Sequence, residues 1–521
     1  MLDKKIKLLD CTLRDGCHIN GGHFGENVIK NVIEKLVEAK VDIIEVGFLW
    51  DQAFGTDTSK YLTIADVKKI LPKDRGESRF SLMADFIDLE HLEPYDGTID
   101  FIRLSFKRWR LDWGLKTGKI LMDKGYKVFI NLVNNNVYTD QQYLEAIQKI
   151  NELHPYGFCI VDTFGTMRLD ELSHRYYLVE NNIHQDMTIG LHLHENLGLA
   201  YSLAQHLTQI ASPKRNIVID GSLLGMGRVP GNLCIEQIMD YMNSQYGTNY
   251  ALEPVYDAID DYIAPIKMNN PWGFSIPYAL SAKYNLHRTY AEYLAGKNRL
   301  KTKDIQRILS QIPQEEAETY NESYVEKLYL DYMNVSYDDS NDIVQLREVF
   351  QGKDIMVIAP GASIKNTLQE IEEAITEKTV VISVNFNPES VITSDIIFLT
   401  NTKRYDMIKY RSKKNKLLIT SNLIRDIKEQ DYTVAYNDIS HFGDEYCDDS
   451  TLMLLALLQK CGVKEVKLAG FDGSKNGERL TFCDGLLDRN VKKNDCKKIQ
   501  AILDGTLSGI KKTFITESVY K

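Results

Sequence analysis

Thr12-Leu13-Arg14-Asp15-Gly16-Cys17-His18 places a cation, a carboxylate, a glycine and an imidazole just after an apolar run, Ile6 to Leu9, that predicts a strand. A polar cluster at the end of a strand is typical of the catalytic face of a (β/α)8 barrel. A second stretch, Gly190-Leu191-His192-Leu193-His194-Glu195-Asn196, ends another predicted strand. Side chains alternate along a strand, so we expect His192 and His194 on one face. The fold must then bring Asp15 close to both histidines.

Residues 1 to about 245 alternate apolar, β-branched runs with helical patterns. The runs predict eight strands, at 6–13, 42–48, 79–86, 101–106, 127–133, 157–162, 188–194 and 216–224. Continuously apolar strands indicate a parallel sheet that helices cover on both faces. Eight strand–helix units in about 240 residues match the size of a closed TIM barrel, and an open doubly wound sheet is the alternative.

A closed barrel would bring the three candidate metal ligands close together. Strands 1, 7 and 8 are neighbours in it, so Asp15, His192 and His194 share one side of the mouth. The glycine-rich loop 225–232 follows strand 8, and its last residue, Asn232, can add an oxygen ligand. One carboxylate and two imidazoles with open positions suit Mn²⁺, Mg²⁺ or Co²⁺ rather than a closed structural zinc site.

Size and composition exclude several classes of function. The 521 residues are too many for one core, and the net charge of −11 argues against a nucleic-acid or anionic-membrane binder. The N-terminus carries no apolar signal segment, and no run of about 18 apolar residues predicts a membrane span. Eight cysteines without a Cys-x-x-Cys pair indicate reduced thiols, so we expect a cytoplasmic protein. We also expect a homo-oligomer.

The pattern divides the chain into three parts. Residues 1–248 are the predicted barrel, and residues 249–337, which lose the strand pattern, predict a helical appendage. The acidic run 338–342 predicts a linker. Residues 345–521 predict a doubly wound, Rossmann-like α/β domain, with strands at 355–359, 379–384, 395–399, 416–420, 431–435 and 465–469.

The first turn of that second domain is a candidate anion site. Ala359-Pro360-Gly361-Ala362-Ser363 leads from a strand into a helix, whose free N–H groups favour an anion. Ligands of open α/β sheets bind at the carboxyl ends of the strands, where further polar side chains converge. The predicted phosphate or nucleotide contacts are Gly361, Ser363, Asn385 and Asp472.

Four motifs in order along residues 6–245 resemble the DRE-TIM metallolyases. They are Thr12–Gly16, Ile44–Gly47, His192–Asn196 and the loop that ends in Gly231-Asn232. That superfamily includes isopropylmalate synthase, hydroxymethylglutaryl-CoA lyase and 4-hydroxy-2-oxovalerate aldolase. His18 and the pair Asp162-Thr163 resemble the aldolases in particular. Phe164 stands where those aldolases carry glycine, so we expect the acceptor pocket to differ.

The resemblance implies a metal-dependent aldolase, a carbon–carbon lyase. It would cleave a 4-hydroxy-2-oxo acid to a pyruvate enolate and an aldehyde or ketone, or condense them. Arg14 would donate to the enolate oxygen and His18 would exchange the proton of the 4-hydroxyl. Glu45, on strand 2, is expected to brace Arg14.

The resemblance also implies a set of ligand contacts. The expected metal ligands are Asp15, His192, His194 and Asn232. The expected substrate contacts are Arg14, Asp15, Thr163, His192 and Tyr284.

Two alternatives remain open. One is a Claisen-type synthase of the same superfamily, which would condense an acyl-CoA with a 2-oxo acid. The other is a bifunctional protein, because segments 358–364, 383–386 and 469–473 resemble Rossmann-like transferases such as sialyltransferases and MptE-like pyrophosphokinases. That second resemblance implies a nucleotide or nucleotide sugar as a partner of the C-terminal domain.

Overall fold

The structure is a computed structural model that describes residues 5–85, 87–134, 137–388, 391–408, 414–473 and 496–521. The chain forms two compact units. The first consists of Met1–Arg288 and Pro313–Tyr320, and the second of Thr289–Ile312 and Asn321–Lys521. In the described parts of the chain, no helix is long and apolar enough to cross a membrane.

The first unit is built on a closed barrel of eight parallel strands, which confirms the predicted fold and excludes the open sheet for this half of the chain. The strands are β1 Ile6–Asp10, β2 Ile43–Leu49, β3 Arg79–Ala84, β4 Phe101–Phe106, β5 Lys127–Leu132, β6 Gly157–Asp162, β7 Thr188–Leu193 and β8 Ile217–Gly221. β1 pairs with both β8 and β2, which closes the sheet. Lys60–Tyr61 adds a two-residue strand beside β2.

Helices connect and flank the strands of the first unit. They are α1 Thr12–Asp15, α2 Cys17–Asn20, α3 Glu26–Glu38, α4 Ile64–Lys68, α5 Leu111–Asp123, α6 Asp140–Leu153, α7 Leu169–Glu180, α8 Ala200–Ile210, α9 Ile235–Tyr246, α10 Glu253–Ala258, α11 Ala264–Asn269 and α12 Ile276–Lys283. The prediction of eight strand–helix units is wrong at one place. Between β3 and β4, the described residues form turns and no helix.

The predicted first strand also ends earlier than expected. The carboxylate of Asp10 accepts hydrogen bonds from the Thr12 N–H, at 2.9 Å, and from the Thr12 hydroxyl, at 2.7 Å. These bonds turn the chain out of the sheet, so Thr12–Asp15 is a helical turn instead of strand. The turn places Arg14 and Asp15 at the mouth of the barrel.

The second unit contains a seven-stranded parallel sheet, which confirms the predicted α/β domain. Its strands are β9 Asp354–Ile358, β10 Thr379–Val384, β11 Ile396–Leu399, β12 Lys416–Thr420, β13 Tyr432–Val434, β14 Glu465–Ala469 and β15 Lys511–Phe514. The order is β13-β12-β11-β10-β9-β14-β15, so the winding reverses between β9 and β14. No strand was predicted at β15, because Lys511 and Lys512 interrupt the apolar pattern there.

The helices of the second unit begin well before its sheet. They are α13 Thr289–Gly296, α14 Thr302–Leu309, α15 Glu322–Met333, α16 Ser340–Phe350, α17 Leu368–Glu373, α18 Thr402–Ile408, α19 Tyr436–Ser440, α20 Ser450–Lys460 and α21 Cys496–Asp504. The compact units therefore do not follow the predicted boundaries, because the helical segment 249–337 is shared between them.

Buried contacts of Arg299 explain this division. Its guanidinium, 9% exposed, donates to the Thr400 hydroxyl at 2.7 Å and forms an ion pair with Asp448 at 3.6 Å. The predicted linker 338–342 is also part of this unit. Asp339 accepts the Ala435 N–H at 3.0 Å and Asp342 the Thr433 N–H at 3.2 Å. A fragment 345–521 would lack all of these contacts.

Small residues make room inside the barrel. A Cβ atom on Gly190 of β7 would lie 2.4 Å from the Cys159 sulfur on β6. We expect Gly190→Ala to lower the free energy of unfolding of this unit by about 1–3 kcal/mol, because added volume in a packed core forces its neighbours apart. Urea unfolding followed by tryptophan fluorescence measures this, since all four tryptophans belong to the first unit.

The double variant Gly190→Ala/Cys159→Ala is the control for that clash. It should lose less stability than the two single changes added together, because alanine at 159 removes the sulfur that the new methyl group meets. Simple additivity would contradict this explanation.

Candidate metal centre and active site

Asp15, His192 and His194 form a buried cluster at the carboxyl-end mouth of the barrel. Asp15 lies on α1 after β1, His192 on β7, and His194 directly after β7. One potential ligand atom from each residue lies within 4.8 Å of the others. This is the arrangement that the sequence predicted for a metal site.

Hydrogen bonds orient both imidazoles. His192 Nδ1 lies 3.0 Å from the Asp220 carboxylate, and His194 Nδ1 lies 2.8 Å from the Asp162 carbonyl oxygen. Carboxylates and carbonyls at one ring nitrogen fix the tautomer and leave the other nitrogen for a metal. The Nε2 atom of each histidine is thus available as a ligand.

The charges of the cluster suit a cation. Burial alone would raise the pKa of Asp15, but the Arg14 guanidinium and nearby histidines hold it well below its usual range. Burial, and next the neighbouring His192, lower the pKa of His194 to about 3. An ionised carboxylate beside a neutral imidazole is the protonation state that metal binding requires.

Asn232 adds an oxygen to this donor set. Its Nδ2 donates to Asp15 Oδ2 at 2.5 Å and to the Met226 carbonyl at 3.3 Å. Its Oδ1 is buried and has no hydrogen-bond partner among the described residues. Gly227 permits this approach, because a Cβ there would lie 2.3 Å from Asn232 and 2.5 Å from Asp15. The residues present therefore fit a hard divalent cation with oxygen and imidazole ligands.

A chain of buried ion pairs lies beneath the cluster. Arg14 Nε donates to Glu45 at 2.6 Å, and Arg14 Nη1 donates to Asp15. Arg103 lies 3.4 Å from Glu45 and donates to Asp220, the partner of His192. The predicted role of Glu45 as a brace for Arg14 agrees with this geometry.

Arg103 and Asp220 were missed in the sequence. Each is a single charged residue inside an apolar strand, Arg103 in β4 and Asp220 in β8. Both are almost fully buried. Their isolation in an apolar run could have identified them, because burying a charge in a barrel strand is costly unless the charge has a partner.

A cavity of 420 Å³ opens above the cluster. Six of the predicted site residues line it: Arg14, Asp15, His18, Thr163, His192 and His194. The Thr163 hydroxyl accepts the Asn134 N–H at 2.7 Å and keeps its own proton for a ligand. Tyr284 is not among the lining residues, and His287 from the same segment lines the cavity instead.

His18 lies at the edge of the cluster. Its Nε2 is 3.7 Å from Asp15 Oδ1, and its ring packs edge-on against Phe48, with centroids 6.2 Å apart. His18 keeps 36% of its side chain exposed, but the partial burial of its ring, with Arg228 and Arg14 nearby, lowers the pKa of His18, although Asp15 opposes this shift. The imidazole is therefore neutral near neutral pH, which is the form that accepts a proton.

The predicted phosphate site of the second unit has a different geometry. Asp472 accepts both the Ser363 N–H, at 2.9 Å, and the Ser363 hydroxyl, at 2.5 Å. Asn385 is bonded elsewhere, to Ser450 and Thr400. A Cβ on Gly361 would lie 2.5 Å from Asp472, so packing alone accounts for the glycine. A carboxylate at this turn opposes a phosphate, and the nucleotide site stays a prediction without support from the contacts.

Part of this chain is similar in sequence to known proteins. The family model described as HMGL-like matches residues 123–260. A 4-hydroxy-2-oxovalerate aldolase from Geobacillus genomosp. 3 is 24% identical over 282 residues, which are 52% of this chain and 80% of that protein. The aldolase of that name from Pseudoalteromonas translucida is 23% identical over 58% of this chain and 89% of its own length.

One solved structure matches a comparable share of the chain. The N-terminal domain of a candidate aldolase from Bacteroides vulgatus is 23% identical, covers 56% of this chain and 96% of that one, and has a TM-score of 0.48.

The family-model match and the aldolase relatives support a lyase or aldolase type for the first unit. More narrowly, its resemblance to the DRE-TIM metallolyases and their aldolases is confirmed by the HMGL-like match over residues 123–260 and by these relatives.

We expect Asp15→Asn, His192→Ala and His194→Ala each to weaken Mn²⁺ binding by more than about 100-fold, since changes to the groups behind a ligand already cost about 10–100-fold. Calorimetric titration of the full chain with Mn²⁺ measures this. His174→Ala is the matched control, because that histidine is exposed and paired with Asp140. Unchanged Mn²⁺ affinity in all three variants would remove the assignment.

Proposed function

We propose that this protein is a divalent-metal-dependent aldolase that cleaves a 4-hydroxy-2-oxo acid to a pyruvate enolate and an aldehyde or ketone, or condenses them. One observation carries the proposal: Arg14 Nη2 is buried beside the metal cluster and has no hydrogen-bond partner in the described part of the chain. A buried guanidinium donor without a partner is costly, and a developing oxyanion offsets that cost. The similarity to 4-hydroxy-2-oxovalerate aldolases supports the same reaction.

The cluster Asp15, His192 and His194, with Asn232, would hold the metal, and Mn²⁺ or Mg²⁺ fits this donor set, with Co²⁺ as a further candidate. When bound, a divalent cation supplies Lewis-acid stabilisation to the oxygens of a 2-oxo acid. Arg14 Nη2 donates to the keto oxygen as negative charge develops there. Glu45 keeps the guanidinium in that orientation through its 2.6 Å bond to Nε.

The proton of the 4-hydroxyl passes to His18. As Nε2 accepts it, the hydroxyl carbon becomes a carbonyl carbon and the bond between C3 and C4 breaks. The electron pair of that bond passes into the enolate, and C3 later takes up a proton to give pyruvate. The condensation runs the same steps in reverse. Thr163 lines the cavity with its hydroxyl proton available, so it contributes a donor to the bound acid.

Metal-dependent exchange of the pyruvate methyl protons tests the function directly. Exchange in the absence of any thioester supports the aldolase. A requirement for an acyl-CoA would favour the Claisen-type synthase, and no exchange with any of the three metals would remove the proposal.

We expect His18→Ala to keep Mn²⁺ binding and to exchange pyruvate protons faster than it runs aldol cleavage. The reason is that His18 is assigned to the hydroxyl proton and Arg14 to the enolate. Loss of a general base typically lowers the rate by about 10²–10⁴-fold, so cleavage should fall by that factor while exchange falls less. Single-turnover cleavage and proton NMR of pyruvate in D₂O measure the two rates.

His23→Ala is the control for this change, since His23 is an exposed histidine paired with Asp57. It should keep both rates. Equal losses of cleavage and exchange in His18→Ala would contradict the assigned role.

A further inference from the structure

One buried polar side chain of the cavity has no role in the proposed reaction. Asn131 lies on β5 among apolar residues and is 2% exposed. It lines the 420 Å³ cavity together with Arg14 and the two histidines of the candidate metal cluster. Asn131 was not among the predicted site residues, although an amide that stands alone in an apolar strand is costly to bury without a partner.

The amide of Asn131 lacks a hydrogen bond that its burial requires. Its Oδ1 is buried and has no hydrogen-bond partner among the described residues. Buried side-chain amides are nearly always bonded, because an unmade hydrogen bond costs the free energy of removing the group from water. A half-turn about χ2 exchanges the oxygen and the nitrogen, so the amide can offer an acceptor or a donor to the cavity. A ligand group that both donates and accepts, such as a hydroxyl, suits it best.

The strand register identifies the neighbours of this amide. Side chains alternate along a strand, so Asn131 shares a face of β5 with Phe129, which belongs to a buried cluster formed by several barrel strands. Asn131 is the register partner of Ser105 on β4, and Ser105 also lines the cavity. Asp85, directly after β3, lines it as well. An amide, a hydroxyl and a carboxylate on this wall provide several acceptors for the hydroxyl groups of a ligand.

The position of Asn131 in the barrel assigns it to one end of the substrate. In the closed sheet, β5 lies opposite β1, four strands away in either direction. Arg14 and Asp15 follow β1, so the 2-oxo acid end of the substrate belongs on that side. The part of the substrate beyond C4, which leaves as the aldehyde or ketone, therefore extends towards the opposite wall and Asn131.

We propose that the carbonyl substrate is a hydroxylated aldehyde or ketone, and that Asn131 binds one of its hydroxyl groups. This inference rests on the proposed aldolase function and narrows it to acceptors with a hydroxyl group beyond the reacting carbon. Asn131 is a specificity-determining residue in this assignment, because it contacts the acceptor and takes no part in forming the enolate. An alkyl acceptor leaves the buried amide unpaired, whereas a hydroxylated one satisfies it.

The test compares matched acceptors in condensation with pyruvate, using the full chain with Mn²⁺. Lactaldehyde is compared with propanal, and 3-hydroxybutanal with butanal, so the members of each pair differ in one hydroxyl group. We expect the hydroxylated member of one pair to have a kcat/KM at least about 10-fold higher, because a site built around a hydroxyl group rejects an analogue that leaves its polar groups unpaired. The pair that shows the preference gives the distance of the hydroxyl group from the reacting carbon.

The variant Asn131→Leu keeps the approximate shape of the side chain and removes both hydrogen-bonding groups. It should lower kcat/KM for the hydroxylated acceptor by about 10-fold or more and so reduce the preference within the pair. Comparing the preference of the variant with that of the unchanged protein also cancels the intrinsic reactivities of the aldehydes. Exchange of the pyruvate methyl protons should be unchanged, because no acceptor takes part in it. Asn131→Ala provides the same comparison if the leucine variant does not fold.

Stability separates this role from a structural one. Replacing an asparagine that the fold needs would lower the urea midpoint, whereas removing an unpaired buried amide leaves the midpoint unchanged or raises it. We expect an unchanged or higher midpoint for Asn131→Leu, followed by tryptophan fluorescence. Asn182→Leu is the matched control, because Asn182 is exposed, donates to the Leu178 carbonyl and does not line the cavity. It should leave the preference and the exchange unchanged.

The outcomes separate this inference from the proposed function. Pyruvate exchange without a preference for either hydroxylated acceptor overturns the inference and leaves the aldolase standing. A variant at Asn131 that keeps the preference overturns it too, and its urea midpoint then shows whether the amide serves the fold. Loss of pyruvate exchange in the variant would assign Asn131 to the 2-oxo acid end and would also overturn the inference. Failure of exchange in the unchanged protein overturns the aldolase and the inference together.

Discussion

Arg103 connects the two halves of the candidate site through charge. Its guanidinium, 1% exposed, bridges Glu45 on one side and Asp220 on the other. Glu45 orients Arg14, and Asp220 orients His192. Removing one partner of a buried ion pair typically costs about 3–5 kcal/mol, because the other charge is left without compensation. The orientation of Arg14, the proposed enolate donor, and that of His192, a proposed metal ligand, are therefore not independent. Any displacement of Arg103 changes both.

The ion pairs beneath the candidate metal cluster leave one notable donor over. Arg14 and Arg103 each have carboxylate partners among the described residues, and Arg14 Nη2 is the atom of these two guanidinium groups that lacks a hydrogen-bond partner there. Buried pairs of this kind hold both guanidinium groups in fixed orientations, because a change in either one would leave a buried carboxylate without its partner. The free donor of Arg14 is therefore held in one direction before any ligand binds.

The sequence predicts the part of the site that follows from strand ends, and not the part that depends on strand neighbours. Asp15, His192 and His194 stand where apolar strands stop, so a barrel alone brings them together. Arg103 and Asp220 form an ion pair because side chains of β4 and β8 project into the same barrel interior. The local sequence of either strand does not identify that partner. The packing partner of the amphipathic helices in 289–333 could not be predicted from the sequence for the same reason. Their apolar faces indicate that they cover a core, but only the contacts of Arg299 identify which one.

The turn at Gly361 shows why a short motif is not sufficient to predict a ligand site. A small residue between a strand and a helix is compatible with a phosphate site, with a tight packing contact or with a side-chain cap. In this chain the reversal of winding between β9 and β14 brings Asp472 onto that turn. The carboxylate takes the hydrogen bonds that a phosphate would need, and the glycine leaves the space that the carboxylate occupies. An anion that bound at this turn would have to displace Asp472 or protonate it, and both cost free energy. The contacts of the turn therefore favour a structural role for Gly361 and Asp472, and the nucleotide site stays a prediction.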